Sequence, residues 1–159
     1  MIRVKLITLG KLKEKYLREA AEEYIKRLSR YCTLEIVELQ PKALPEDPSA
    51  EQISAALNAE AELIEKQLPK GGTVVALCVE GKQQPSEKMA ELIERSALSG
   101  GSISFIIGSS FGMAERIKNS ADVRLSMSQM TFPHQLARVM LLEQIYRGFK
   151  ISEGSVYHK

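Results

Sequence analysis

Two short stretches of the chain are almost entirely apolar, and they limit the folds that it can adopt. Thr73–Val79 contains three valines, and Ile103–Ile107 reads Ile-Ser-Phe-Ile-Ile. A strand that is apolar on both of its faces has to be buried on both, which is typical of a parallel sheet covered by helices. The two stretches therefore predict an α/β protein with a buried sheet.

The other segments alternate between strand-like and helix-like patterns. This alternation predicts a parallel sheet with helices on both faces, built as a single domain over residues 1–159. The predicted elements are strand Ile2–Leu9, helix Glu14–Arg30, strand Thr33–Leu39, a helix capped by either Asp47-Pro48 or Ser49, strand Thr73–Val79, a helix from Ser86, strand Ile103–Ile107, helix Glu115–Asn119, strand Asp122–Leu125 and a long final helix.

Parallel sheets bind ligands in the crevice beyond the carboxyl ends of their strands. Three segments of this chain are predicted to reach that edge, namely Leu77–Lys82, Gly108–Gly112 and Ser126–Thr131. Two of them are rich in glycine or serine, which lets a ligand approach the backbone closely. The sequence therefore predicts a small-molecule site where these three loops converge.

Several common motifs are missing from the sequence, and their absence narrows the chemistry. The chain has no GxGxxG fingerprint, no GK[ST] phosphate loop and no GxSxG elbow. Cys32 and Cys78 are isolated and only two histidines are present, so we expect two buried thiols and no metal site. No run of 18 apolar residues exists, so we expect a cytoplasmic protein without a membrane span. The absence of nucleotide-binding and nucleophile motifs fits a cofactor that brings its own reactive group.

The final helix is unusual because Leu136–Leu142 places apolar residues on nearly every side of it. Arg138 falls on the same face as Leu142 and Ile145, where a charge needs a partner or a ligand. One interpretation is a helix in a large core or a dimer interface. The other is a ligand site at the helix N-terminus, with Thr131 or Phe132 as the cap residue.

Charge is distributed unevenly along the chain although the net charge is only +2. Residues 1–30 hold nine Lys or Arg against four Glu, whereas residues 41–67 hold six acidic residues against two Lys. Basic ends of this kind are consistent with a surface that faces a polyanion. Solvated helix faces explain the same charges without any partner.

Five motifs resemble one known family along the whole chain. They are Gly10-Lys-Leu-Lys-Glu-Lys-Tyr16, Phe105-Ile-Ile-Gly108, Leu125-Ser-x-Ser-x-Met-Thr-Phe-Pro-His-Gln135, Glu143-Gln-Ile-Tyr-Arg147 and the terminal Tyr157-His-Lys159. They are similar to those of the RlmH-type ribosomal RNA large subunit methyltransferases of the SPOUT class. The resemblance implies a C-terminal trefoil knot, a homodimer, and S-adenosylmethionine as the donor that methylates N3 of a pseudouridine in helix 69 of 23S rRNA, within the large subunit or the ribosome.

The resemblance also implies which residues form the site. The expected cofactor contacts are Leu77, Gly108, Met127, Ser128, Gln129, Met130, Thr131 and Phe132; the expected substrate-side residues are His134, Arg147, Tyr157 and His158, to which we add Arg138. Family members more often have glycine where this chain has Ser109. A histidine suits a general base near neutral pH, and we expect His158 to take that role.

Two further functions fit the same sequence. One is a SPOUT methyltransferase that acts on another RNA, such as tRNA. The other is a ribosome-associated protein that binds a nucleoside without catalysis.

Overall fold

The computed structural model describes residues 1–158, without the side chain of His158, so Lys159 lies outside the described residues. Within that range the order of elements agrees with the alternation predicted from the sequence. The strands are β1 (Ile2–Leu9), β2 (Cys32–Leu39), β3 (Thr73–Gln83), β4 (Ser102–Ile107) and β5 (Val123–Ser126). The helices are α1 (Lys15–Leu28), α2 (Ala50–Gln67), α3 (Ser86–Ser99), α4 (Glu115–Ser120) and α5 (His134–Ser152), followed by one 3₁₀ turn (Val156–His158).

The five strands form one parallel sheet in the order β2-β1-β4-β3-β5. Helices α1, α3 and α5 cover one face, and α2 and α4 cover the other. Neighbouring residues of β4 show this division, because Phe105 packs in the first layer and Ile106 in the second. Every residue of β4 is buried, as its apolar sequence predicts. The parallel α/β fold with helices on both faces is therefore confirmed.

Strand β3 differs from the prediction in its second half. It pairs with β4 only as far as Leu77, and its pairing with β5 shifts register between Leu77 and Lys82. Beyond Leu77 the strand has no β4 neighbour to cover it, so Val79 is 49% exposed. Cys78 is likewise half-buried, and the expectation that both thiols are buried holds only for Cys32.

The helix starts show one confirmed and one wrong prediction. Ser49 caps α2 in a reciprocal capping box with Gln52, which decides between the two proposed caps. The cap of α5 is Pro133, not Thr131 or Phe132, and it makes no side-chain cap bond. Its carbonyl accepts the hydrogen bond of Ala137 N–H at 2.9 Å, while its own backbone is not helical.

Helix α5 is buried along one side, and its first turn is partly exposed to solvent. Leu141, Leu142 and Ile145 are fully buried, whereas Leu136 is 38% exposed. Gly148 allows close packing against α3, since a Cβ there would lie 3.0 Å from Ile93 Cδ1. Among the residues described, none of the helices is long and apolar enough to cross a membrane.

Candidate active site

The three predicted loops meet at the carboxyl edge of the sheet and enclose a cavity of about 690 Å³. Seven of the eight predicted cofactor residues line it, and Gln129 does not. His134 and Ala137 from the first turn of α5 also line the cavity. The cavity is lined by Leu77, Gly108, Met127, Ser128, Met130, Thr131 and Phe132 from the predicted set, together with neighbours from β3, β4 and α4.

Gly108 is required for a reason that differs from the predicted one. We expected glycine here because a ligand approaches the backbone. In the structure a Cβ on Gly108 would lie only 2.2 Å from the carbonyl oxygen of Gly112. That carbonyl is held in place because it accepts the Ser109 N–H at 3.0 Å. Glycine at position 108 therefore permits the tight 109–112 turn that forms one wall of the cavity.

A buried carboxylate behind this turn was missed by the sequence analysis. Glu60 on α2 is only 3% exposed, and its two oxygens accept bonds from the Ser109 hydroxyl at 2.8 Å and the Lys42 N–H at 2.9 Å. The signal was present in the sequence, because Glu60 lies between Leu57 and Ile64 on the apolar stripe of the helix. Glu60 thus ties the cavity wall to α2 through Ser109.

The 126–133 loop is shaped by two serine side chains. The Ser126 hydroxyl donates to the Ser128 carbonyl at 3.0 Å, and the Ser128 hydroxyl accepts the Met130 N–H at the same distance. These local bonds give backbone groups of the loop hydrogen-bond partners, although the loop belongs to no sheet or helix. They leave Met130 75% exposed at the rim of the cavity.

His134 is the one described histidine side chain, and it lies in the cavity wall. Burial lowers its pKa from the ordinary histidine value, and the positive charges of Arg138 and Lys13 lower it further. The lowered pKa favours the neutral imidazole, which has a nitrogen lone pair that can accept a hydrogen bond or a proton.

Arg138 does not line the cavity, and its side chain is occupied by protein partners. It is 5% exposed, and it donates to the Glu38 carboxylate at 2.7 Å. It also donates to the Thr8 hydroxyl and the Gly10 carbonyl, both at 2.9 Å. A charge on this face was expected to need either a protein partner or a ligand, and the structure shows protein partners for Arg138. Arg138 links α5 to the ends of β1 and β2.

We expect Arg138→Ala to lower the free energy of unfolding by roughly 2–4 kcal/mol, because buried groups lose their donors and Glu38 loses its cation. Chemical denaturation measures this change. Arg30→Ala, at an exposed arginine, serves as the matched control and should leave stability unaltered. Equal effects of the two changes would contradict a structural role for Arg138.

The remaining predicted residues gather on the second half of α5, away from the cavity. Arg147 forms an ion pair with Glu143 at 2.7 Å, and its guanidinium lies 4.8 Å from the centre of the Tyr157 ring. The Tyr157 hydroxyl donates to the other Glu143 oxygen at 2.9 Å. Burial raises the pKa of Tyr157, and the Glu143 bond raises it further. The 3₁₀ turn is thereby fastened to the helix of its own chain.

This arrangement separates the predicted site into two groups. Arg147 follows His134 by 13 positions on one helix, which corresponds to about 20 Å along its axis. The cavity residues and His134 form one group, and Arg147 with Tyr157 forms the other. The predicted base, His158, belongs to the second group by position, but its side chain lies outside the described residues.

The family model for predicted SPOUT methyltransferases matches residues 2–158, and the chain belongs to this family. Among its relatives, the "Ribosomal RNA large subunit methyltransferase H" of Leuconostoc mesenteroides is 47% identical over 157 residues, covering 98% of this chain and 99% of the relative. The protein of the same name from Pelotomaculum thermopropionicum is 47% identical over 159 residues, covering 99% of each.

A solved structure supports the same fold at much lower sequence similarity. It is described as a probable methylase family protein from Haemophilus influenzae Rd KW20. It superimposes with a TM-score of 0.56 at 13% identity, covering 100% of this chain and 72% of that one. At this level of identity, the likeness concerns the fold alone.

Proposed function

We propose that this protein is an S-adenosylmethionine-dependent methyltransferase that modifies N3 of a pseudouridine in helix 69 of 23S rRNA. The observation that carries this proposal is the cavity at the strand ends, because the family's motif positions converge on it in a chain that matches full-length rRNA methyltransferase relatives. The C-terminal trefoil knot remains a prediction from the family.

The cavity fits such a cofactor in both size and chemistry. About 690 Å³ lies within the roughly 300–1,000 Å³ range of small-molecule sites. Apolar side chains such as Leu77, Ile107 and Phe132 would enclose an adenine ring, and backbone groups of the 126–133 loop would contact the polar parts. When bound, the cofactor supplies an electrophilic methyl group.

The protein's own task is then to orient a base and accept its imide proton. Neutral His134 offers an acceptor in the cavity wall. Arg147 and Tyr157 would hold the RNA, Arg147 by a contact to a phosphate or a base carbonyl. We keep His158 as the proposed general base, on the resemblance alone.

The two groups of site residues would meet in a homodimer, in which the tail of one subunit reaches the cavity of the other. The separation of about 20 Å along α5 supports this arrangement, because one chain cannot close that gap without rearranging. The exposed Leu136 beside the cavity is consistent with cover by a second chain.

We expect light scattering at micromolar concentration to give twice the 17.7 kDa mass of one chain. The physical reason is that Leu136 and the half-buried Met140 would otherwise remain in contact with water. A monomeric mass across the micromolar range would contradict the shared site.

The decisive experiment incubates the protein with methyl-labelled S-adenosylmethionine and ribosomes that lack the modification, after which the labelled nucleotide is mapped. Label at the helix 69 pseudouridine supports the proposal. Label on tRNA in a parallel incubation, with none on the ribosomes, would indicate a SPOUT enzyme with another substrate. Binding to ribosomes without transfer of label would indicate the non-catalytic alternative.

A further inference from the structure

The segment between β1 and α1 is a basic loop held rigidly beside the cavity. This segment, together with the first two residues of α1, spans Gly10–Tyr16 and carries three lysines against one glutamate. We refer to it as the β1–α1 loop. None of its side chains lines the cavity, but the charge of Lys13 helps to lower the pKa of His134 in the cavity wall.

Backbone groups of the loop are hydrogen-bonded to side chains of α5. The Gly10 carbonyl accepts the buried Arg138 guanidinium at 2.9 Å, and the Lys13 N–H donates to the Gln135 side chain at 2.8 Å. Both anchoring residues follow His134 closely on the helix. A Cβ on Gly10 would lie 3.9 Å from His134 Nε2, so the loop backbone borders the cavity wall.

Two more contacts fix the loop on its other side. Leu12 is buried in the main core, at 9% exposure. The Arg18 guanidinium donates to the carbonyls of Leu12 and Lys13. The backbone is therefore held in one arrangement before any partner binds, which reduces the entropy lost on binding.

The side chains of this segment that are exposed to solvent are cationic and aromatic. Lys11, Lys13 and Lys15 are exposed, and Tyr16 is 68% exposed. Lys15 forms a long ion pair with Glu19 at 3.6 Å. In the described part of the chain, neither Lys11 nor Lys13 has a carboxylate within ion-pair distance.

We propose that the β1–α1 loop is an RNA-binding surface, in which Lys11 and Lys13 contact backbone phosphates and Tyr16 stacks on an unpaired base. Unpaired lysines on a fixed backbone suit a polyanion, and an exposed tyrosine suits single-stranded bases. Because the loop borders His134, RNA held there lies next to the cofactor cavity. This inference rests on the proposed function and identifies where its substrate binds.

The test compares Lys11→Glu/Lys13→Glu with Lys66→Glu/Lys70→Glu. The control pair makes the same change in charge at exposed lysines near the start of β3, at the opposite edge of the sheet. Two readouts are used, namely cosedimentation with unmodified ribosomes and the KM for ribosomes in methyl transfer. Both are measured at several KCl concentrations, alongside calorimetry with S-adenosylmethionine.

We expect the loop variant to bind ribosomes at least about tenfold more weakly near physiological salt, and the slope of log affinity against log salt to fall by roughly 1.5. Its affinity for S-adenosylmethionine should match that of the control pair. Tyr16→Ala should weaken binding about tenfold, and Tyr16→Phe should restore it, because stacking needs the ring and not the hydroxyl.

Three results would overturn the inference. The first is ribosome affinity within twofold of the control pair. The second is an unchanged salt slope. The third is loss of dimers in gel filtration, which would place the loop in the subunit interface. Failure of the proposed function gives a separate result, because the unaltered protein would then transfer no methyl group to RNA. Cosedimentation with ribosomes would still test the loop in that case.

Discussion

Gly108→Ala is expected to weaken S-adenosylmethionine binding roughly a hundredfold, although it adds only one methyl group. The new Cβ would lie 2.2 Å from the Gly112 carbonyl oxygen and 2.5 Å from its carbon, so the 109–112 turn has to move. Overpacking of this kind typically costs about 1–3 kcal/mol. Since the turn forms a wall of the cavity, that cost should appear as lost affinity, at about 1.4 kcal/mol for each factor of ten.

Calorimetry with S-adenosylmethionine measures the loss, and thermal melting shows whether the fold survives. Gly71→Ala is the matched control, because a Cβ there meets nothing within 4 Å. Ser109→Ala should have a smaller effect, since it removes the hydroxyl's bonds to Glu60 and to the Gly112 carbonyl but introduces no clash into the turn. Affinity unchanged in Gly108→Ala would mean that the turn is not part of the cofactor site.

Deleting Tyr157–Lys159 is expected to remove most methyl transfer while leaving cofactor binding and dimerisation intact. The described part of this tail contacts Tyr146, Glu143 and Arg147 on the second half of α5 and does not line the cavity. Arg147→Ala should behave in the same way, because it removes the proposed contact to RNA and not a core residue. Loss of cofactor binding in the truncated protein would contradict this separation of roles.

Mixing two inactive variants tests whether the site is shared between subunits. A Gly108→Ala subunit has an impaired cofactor cavity but keeps its tail, whereas a truncated subunit keeps an intact cavity. If the tail of one subunit serves the cavity of the other, the mixed dimer has one complete site and activity partly returns. If exchange of subunits is confirmed and activity stays absent, each chain has to use its own tail.

The sequence by itself determined the layers of the fold. Apolar runs such as Ile103–Ile107 can satisfy the hydrophobic effect only in a sheet buried on both faces, and the alternation with helices makes that sheet parallel. The carboxyl ends of parallel strands meet at one edge, so the position of the cavity followed as well. The resemblance added the identity of the lining residues, seven of which the structure brings together.

Only the tertiary structure decided which polar groups satisfy one another. Arg138 and Glu38 are 100 positions apart, and Glu60 and Ser109 are 49 apart. Periodicity reports which face of a helix is buried, but it carries no information about what lies opposite that face. The clash that makes Gly108 indispensable is likewise a distance across a folded turn. The sequence therefore determined where the site lies, and the packing of distant segments decided what holds it in shape, because those contacts form only when the chain has folded.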